Sequence, residues 1–214
     1  MASFTRRMEV LEGDVHNKAL ENTALKKEIG NLKRQIETKD EELQNMKTKH
    51  ERASLDIAEK LNDQEQYSRT NSIRITTIPE DDPKETALQT ADKVVKNLNK
   101  YLKLNLSSDD IDISHRLGKY KPEGRGRAVI VKFVQRTTKQ AVMSNRKHLK
   151  NTGITVYEDL TKLNSEVLAS TRKKRPDKVK DSWSVGGKIF IKLKANDAIE
   201  KLKFEDFQEW LELP

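Results

Sequence analysis

Residues 64–83 read QEQYSRTNSIRITTIPEDDP, and within this stretch the chain changes from one structural period to another. The residues before it keep an apolar repeat of seven, which is typical of a helix in a coiled coil. From Ser72 onward apolar and polar side chains alternate, which is the period of a β-strand. Because Arg69 and Arg74 lie at this change, the sequence predicts an oligomerising helix that leads directly into a basic, strand-first domain.

Charge is distributed unevenly along the 214 residues. The whole chain has a net charge of +8, but residues 1–68 carry −2 and residues 113–194 carry +15. A surface that only keeps a protein soluble mixes the two signs, whereas a concentration of one sign is the pattern expected for a polyanion partner. The composition therefore favours nucleic acid as a partner over a merely soluble basic domain.

The composition also excludes several classes of protein. Cysteine is absent, so disulfides and thiolate metal sites are excluded and a reducing intracellular setting is favoured. No apolar run reaches the roughly 18 residues needed to span a bilayer, and the first ten residues contain no apolar core of the signal-peptide type. We therefore expect no membrane partner.

Residues 1–68 are predicted to form an oligomerising coiled coil. With Met8 at heptad position a, the register runs unbroken to Tyr67, and 14 of the 20 a and d positions are apolar. Ile at a with Leu at d favours two strands, whereas the run from Arg7 to Glu12 resembles the Arg-to-Glu pattern of three-stranded coils. We expect a parallel trimer, with a dimer as the second candidate. The residues assigned to oligomerisation are Arg7, Met8, Leu11, Glu12, Val15, Asn22, Leu25, Ile29, Leu32, Ile36, Leu43, Met46 and Ile57.

Residues 69–160 are predicted to form a split βαβ domain, which makes the fold class α+β. The order of elements is strand, helix, strand, strand, helix, strand, which predicts a four-stranded antiparallel sheet with both helices on one face. The other face is left open, as in RNA-recognition-motif (RRM) domains. On that face we expect Arg74 and Lys132 and no stacking aromatics from the first and third strands, so phosphate contacts should dominate. The segments assigned are strands 72–78, 110–117, 128–134 and 154–158, helices 86–104 and 137–150, and a basic loop 119–127.

Residues 161–214 are predicted to form a small basic α/β lobe with an acidic tail. Thr161 is a plausible N-cap for a helix that continues to Arg172. The run TRKKRPDKVK at 171–180 is the densest basic stretch; nucleic-acid contact is the favoured reading, with a nuclear localisation signal or a solvated face as alternatives. Gly186 and Gly187 are predicted to form the two-residue turn of a hairpin. Short closing helices are expected from apolar residues between 198 and 211.

Several short motifs in this order resemble the first-open-reading-frame protein of LINE-type retrotransposons. They are EQYSRTNSIRI (65–75) with IPE (78–80), HRLGK (115–119), VIVKF (129–133), EDL (158–160) and the stretch from Trp183 to Phe190. The resemblance implies a trimeric, RNA-binding nucleic-acid chaperone that coats its RNA as a ribonucleoprotein. By position, it places RNA contacts at Arg69, Arg74, Lys132, Arg172 and Lys173. Related proteins often carry Arg at the position of Lys132, so less geometric selectivity is expected there.

The candidate nucleic-acid-binding residues are all basic. No phosphate-binding loop and no histidine spacing for a metal is present. The acidic cluster Asp109, Asp110 and Asp112 is interpreted as part of a turn between a helix and a strand. We therefore expect no enzyme activity, no cofactor and no metal. The assigned residues are Arg69, Arg74, Arg116, Lys119, Arg125, Arg127, Lys132, Arg172, Lys173, Lys174, Arg175 and Lys188.

The leading hypothesis is an oligomeric binder of RNA and single-stranded DNA with chaperone activity, located in a cytoplasmic ribonucleoprotein or in the nucleus. A first alternative is a coiled-coil scaffold whose basic lobe docks an acidic protein. A second alternative is a regulator that binds duplex DNA.

Overall fold

The computed structural model describes residues 2–80, 82–120, 126–174 and 176–212, and its fold is mixed α+β. A long helix, α1 (Ala2–Ser68), is followed by two small antiparallel sheets and their helices. This confirms the predicted α+β class with a long N-terminal helix. The chain divides into two compact units, Met1–Ile57 and Ala58–Pro214. The predicted domain boundaries 1–68, 69–160 and 161–214 stay predictions.

In the first unit, α1 carries a row of exposed apolar side chains. They recur at the predicted a and d positions and are 46% to 74% exposed in the single chain. The polar residues assigned to oligomerisation, Arg7, Glu12 and Asn22, are exposed as well. So many exposed apolar side chains along one face of a helix are rare on soluble monomers. The apolar members are Phe4, Met8, Leu11, Val15, Leu25, Ile29, Leu32, Ile36, Leu43, Met46 and Ile57.

The second unit begins with the last turns of α1 and contains a four-stranded antiparallel sheet. The helix ends where the amides of Arg69 and Thr70 turn back to the carbonyls of Gln66 and Tyr67, at 3.1 and 3.0 Å. The strand order is β2-β3-β1-β4, and every pair is antiparallel. The elements are β1 (Ser72–Thr76), α2 (Ala87–Leu102), β2 (Ile111–Arg116), β3 (Val129–Phe133), α3 (Arg136–Asn145), a 3₁₀ turn (Arg146–Leu149) and β4 (Thr155–Glu158).

One face of this sheet packs against both helices. Alternate residues of β1 and β3, which include Ile73, Ile75 and Phe133, are buried against Leu98 of α2 and Val142 of α3. The predicted inward set Val129, Val131 and Phe133 is confirmed, with exposures of 0%, 0% and 1%. Because side chains alternate along a strand, the intervening residues lie on the opposite, open face.

Two local motifs fix the ends of the connecting segments. α2 begins at a capping box, in which Thr86 accepts a hydrogen bond from the Gln89 amide and the Gln89 side chain accepts one from the Thr86 amide. Asp110 accepts a hydrogen bond from the amide of Ser107 at 2.8 Å, which gives this residue of the acidic cluster the predicted role in a turn.

The C-terminal lobe is a three-stranded antiparallel sheet covered on one face by two helices. Its elements are α4 (Lys162–Lys174), β5 (Val179–Val185), β6 (Lys188–Leu193), β7 (Ile199–Lys201), a 3₁₀ turn (Phe204–Asp206) and α5 (Phe207–Glu212), and the strand order is β5-β6-β7. Thr161 caps α4 as predicted by accepting a hydrogen bond from the Asn164 amide at 3.1 Å. The predicted hairpin turn at Gly186 and Gly187 is confirmed; both have positive φ, as a type I′ turn requires.

The predicted closing helices start later than the sequence suggested. Residues Ile199–Lys201 pair with β6 as strand β7, and only the segment from Phe204 onward is helical. Three residues are too few for a recognisable alternation, so the pattern of apolar residues was interpreted with the wrong period.

Candidate nucleic-acid interface

The open face of the four-stranded sheet carries one continuous row of side chains across all four strands. His115 pairs with Ile130, Ile130 with Arg74, and Arg74 with Tyr157. Tyr157 is 48% exposed. Lys132 lies on the same face of β3. The expected cations are therefore on this face, and β4 adds an aromatic ring that the prediction from the first and third strands did not include.

Arg69 and Arg74 converge on a single buried carboxylate. The two oxygens of Asp159 accept hydrogen bonds from Arg69 at 3.0 Å and from Arg74 at 2.7 Å. The Asp159 side chain is 4% exposed, whereas the Arg69 and Arg74 side chains are 30% and 39% exposed. The Arg69 guanidinium also pairs with Glu65 at 2.8 Å, and its Nε is buried. A phosphate that approaches either arginine therefore competes with a carboxylate that is already bound.

Arg116 lies inside the domain rather than on the open face. Its side chain is 3% exposed and pairs with the buried carboxylate of Glu85 at 3.1 Å. Its guanidinium also donates to the carbonyls of Ile78 and Pro79 at 2.7 and 2.6 Å. Burial raises the pKa of Glu85, but hydrogen bonds from Thr90 and Lys93 and the charge of Arg116 outweigh it, so the pKa is lowered. The predicted contact of Arg116 with nucleic acid therefore has no accessible surface to form on.

Arg127 is also held by a carboxylate. Its side chain is 20% exposed and pairs with Glu80, whose side chain is 2% exposed. The hydrogen bond from Arg127 lowers the pKa of Glu80 against the opposing effect of burial. Arg116 and Arg127 together fasten the segment between β1 and α2, because Glu80 and Glu85 both lie in that segment.

A basic groove of about 630 Å³ runs along β4, between the four-stranded sheet and the C-terminal lobe. Arg146, Lys147 and Lys150 line one side of it, and Tyr157 and Trp183 contribute aromatic rings. The three cations are exposed, and no described residue forms an ion pair with them. Cations beside exposed rings are the combination with which proteins bind single-stranded nucleic acid, since phosphates meet the charges and bases stack on the rings.

The remaining predicted residues lie outside the groove lining. Lys132 pairs with Asp112 at 2.7 Å, and both side chains are about 40% exposed, at 39% and 44%. Lys119, Lys173 and Lys188 are exposed, and the described part of the chain provides no ion pair to them. Only the backbone of Arg172 and Lys174 is described, as part of α4; Arg125 and Arg175 lie outside the described residues.

Glu158, at the end of β4, ties the groove wall to the C-terminal lobe. Its carboxylate accepts hydrogen bonds from the amides of Gly186 and Gly187 at 2.8 and 3.1 Å and pairs with Lys139 at 3.1 Å. Burial raises the pKa of Glu158, but the Gly187 amide and the charge of Lys139 outweigh it, so the pKa is lowered. The β5–β6 turn is therefore held against β4 by a charged contact.

The end of α1 joins the same junction through amide side chains. The Gln66 amide donates to the carbonyl of Asp159 and accepts from the backbone amide of Thr161, each at 3.0 Å. Asn62 contacts Asn164 and Thr161 at 3.1 and 2.8 Å. Within the second unit, residues 58–68 thus share one polar cluster with β4 and the start of α4.

Sequence reasoning missed the groove residues Arg146, Lys147, Lys150 and Tyr157. The run NRKHLK at 145–150 was a visible basic signal, but it lay at the end of a predicted helix, where solvated cations are common. Tyr157 was counted as part of a strand and not placed on a face.

Within the described residues, no cluster of three or more His, Asp or Glu side chains is arranged to hold a metal ion. No helix in that same part of the chain is both long and apolar enough to cross a membrane. No protein-family model matches the chain, and no curated protein is significantly similar to it.

Proposed function

We propose that this protein is a trimeric binder of RNA and single-stranded DNA with nucleic-acid chaperone activity, as part of a retrotransposon-type ribonucleoprotein. The observation that carries the proposal is the groove along β4. It combines three exposed cations that no described residue pairs with, Arg146, Lys147 and Lys150, with the rings of Tyr157 and Trp183. The motifs that resemble LINE-type first-open-reading-frame proteins support the same function.

The architecture of residues 69–160 supports an RRM-like domain. The order of strands and helices, the antiparallel sheet β2-β3-β1-β4 and the open face with Arg74, Lys132 and Tyr157 are the features on which such domains bind RNA. Only one of these three side chains is aromatic, so phosphate contacts supply most of the affinity and sequence preference is weak.

The exposed apolar row of α1 supports assembly through a coiled coil. Burying that row against two further copies removes it from water, and the run from Arg7 to Glu12 favours three strands over two. Three linked binding sites raise the affinity for one strand long enough to reach them, because the second and third contacts form at a high effective concentration. The proposed function is binding without catalysis, and the proposed location is a cytoplasmic ribonucleoprotein.

The first experiment is fluorescence anisotropy with a labelled single-stranded RNA of about 30 nucleotides, which exceeds the site of one binding domain. We expect binding that weakens steeply with salt, tolerates changes in RNA sequence and is poorly competed by duplex DNA. Preference for one duplex sequence would favour the duplex-DNA regulator. No binding at low salt would favour the alternative in which the basic lobe docks an acidic protein.

The trimer is tested by light scattering on the full chain and on an Ile29→Asn/Ile36→Asn variant. We expect three times the mass of one chain for the first protein and a lower mass with weaker RNA binding for the second. Leu20→Asn is the matched control, because Leu20 is 58% exposed but lies off the a and d positions. A full chain with the mass of a monomer would contradict the coiled coil.

A further inference from the structure

The outer face of the C-terminal sheet carries two aromatic rings. Ser182 points toward α4, where its hydroxyl lies 3.0 Å from that of Thr171. Because side chains alternate along a strand, Trp183 points to the opposite face. Ile189 and Ile191 are buried beneath β6 at 1% and 2% exposure, so Phe190 between them also points outward.

Trp183 and Phe190 lie side by side on that face. They are directly opposite each other in the β5–β6 register, their ring centroids are 6.2 Å apart and their planes differ by 13°. Both residues are only partly buried, and neither belongs to the apolar core under the sheet. The two rings are therefore nearly parallel and stacked on each other, and solvent reaches both.

Three lysines border Phe190, whereas the exposed carboxylate of Asp181 lies two residues before Trp183 on β5. Lys188 and Lys192 are two residues before and after Phe190 on β6, so they share its face, and Lys201 on β7 is directly opposite Phe190. Lys192 pairs with Asp197 at 3.3 Å, whereas Lys188 and Lys201 are exposed and have no ion pair with a described residue. An apolar platform bordered by cations matches the bases and phosphates of a single strand better than it matches an uncharged partner.

We propose that this face is a second nucleic-acid subsite that continues from the groove through their shared residue Trp183. On it Trp183 and Phe190 each stack one base of two neighbouring nucleotides while Lys188 and Lys201 contact the phosphates. The inference rests on the proposed function and adds to it that the bound strand is single and that its bases are unstacked from each other. Stacked bases are 3.4 Å apart along a strand, whereas the two ring centroids are 6.2 Å apart. Two bases that follow the rings are therefore unstacked from each other, and a duplex does not fit.

This geometry gives a physical basis for chaperone activity. Holding a strand extended disfavours its internal duplexes, and stacking uses the faces of the bases, so their pairing edges stay free for a complementary strand. Every base has a π-face, so the platform accepts any sequence.

Tryptophan fluorescence reports strand binding at Trp183, and the Phe190 variant below assigns that signal to the platform. The chain has two tryptophans, and Trp210 is 9% exposed within the core of the lobe, so a change on strand binding reports on Trp183. The probes are an oligouridylate and an abasic strand of the same length, about ten nucleotides. We expect the oligouridylate to quench the emission at saturation and the abasic strand to leave it unchanged.

Variants separate stacking from charge. Trp183→Leu should abolish the quenching and weaken oligouridylate binding by about five- to 150-fold, the range for loss of one stacked base, without changing the affinity for the abasic strand. Phe190→Leu should weaken binding in the same selective way while the Trp183 reporter is kept. Tyr101→Leu is the control, because Tyr101 is on α2, behind the other sheet; both affinities should stay unchanged.

The outcomes distinguish this site from the function on which it rests. Tight RNA binding by anisotropy that Phe190→Leu leaves unchanged overturns the platform and leaves the proposed function standing, because Phe190 does not line the groove. Equal weakening of oligouridylate and abasic binding by Trp183→Leu also overturns it, since the ring would then act through the fold. Failure of the wild-type chain to bind either strand removes both proposals.

Discussion

Arg116 and Arg146 are the same residue type on the same small domain, yet their surroundings are opposite. Arg116 is enclosed at the β1–α2 end, where Glu85 and two backbone carbonyls use its donors. Arg146 stands beside the groove with Lys147 and Lys150 and has no ionic partner among the described residues. The difference teaches that the positions of carboxylates, rather than the number of cations, decide which part of a basic domain is free for a polyanion.

The strongest test of this contrast is Arg116→Met. It takes from the buried carboxylate of Glu85 one of its two cationic partners, Lys93 being the other, and leaves the carbonyls of Ile78 and Pro79 without their donor. We therefore expect the free energy of unfolding to fall by about 3 kcal/mol. Urea denaturation followed by circular dichroism measures the loss. Arg146→Met is the matched control and should change stability by no more than about 0.5 kcal/mol. Equal stability of the two variants would erase the distinction between the two sites.

Low pH should weaken the ion pairs that hold Arg116 and Arg127, because those pairs need ionised carboxylates. The pKa values of Glu80, Glu85 and Glu158 are lowered in the folded chain from an ordinary value of 4.5. A lowered folded pKa means that the stabilisation is complete above the unfolded value and is lost as pH falls through the folded value. We expect the urea midpoint to hold from pH 7 to about 5 and to fall steadily below about 4.5.

Glu158→Gln provides the control for the acid experiment. General charge repulsion at low pH acts on both proteins, but the variant takes up one proton fewer on unfolding, so its stability should depend less steeply on pH below 4.5. Identical slopes for the two proteins would show that the contact of Glu158 with Lys139 and the β5–β6 turn does not contribute.

Removing the groove charges should change binding and spare the fold. For the triple variant Arg146→Gln/Lys147→Gln/Lys150→Gln we expect affinity for single-stranded RNA to fall about tenfold or more. The slope of log affinity against log salt should become shallower by about 2, since each phosphate contact on a single strand contributes about 0.7. Urea denaturation should give the wild-type midpoint.

A second triple variant makes the groove test specific. Lys84→Gln/Lys96→Gln/Lys100→Gln removes the same charge from exposed lysines of α2 and the segment before it. If that variant lost as much affinity and slope as the groove variant, binding would depend on total charge and not on the groove.

The smallest expected effect concerns the surface pair of Lys132 and Asp112. Both side chains are well exposed, so their attraction contributes no more than about 1 kcal/mol. Asp112→Asn releases Lys132 on the open face, and RNA affinity should rise by about fivefold or less. A fall in affinity, measured by anisotropy at low salt, would mean that Asp112 positions Lys132 for binding.

Local patterns in the sequence were sufficient for most of the fold. Alternation placed Ile73, Ile75 and the inward residues of β3 correctly, the cap at Thr161 marked the start of α4, and two glycines marked the hairpin turn. Each of these signals is contained within a few neighbouring residues, so the chain reveals it without knowledge of the tertiary structure. Strand β7 was missed because it is three residues long.

The candidate site could be predicted only in part, because accessibility depends on distant partners. Glu85 is 31 residues from Arg116, and Asp159 is 85 residues from Arg74. No local pattern reports such distances, so every basic residue looked equally available. The aromatic pair needed the register of β5 and β6, which placed Trp183 opposite Phe190.

Gly187 determines where this chain tolerates foreign sequence. A Cβ at this position would meet the side chain of Gln66 at 2.3 Å, and the residue has a φ of +80°. The β5–β6 hairpin is thus an unsuitable place for an epitope tag or a fluorescent insertion, although hairpin tips are usually chosen for that purpose. Gly118 also has a positive φ but open space around it, so a label inserted beside Gly118 leaves the lobe and the end of α1 undisturbed.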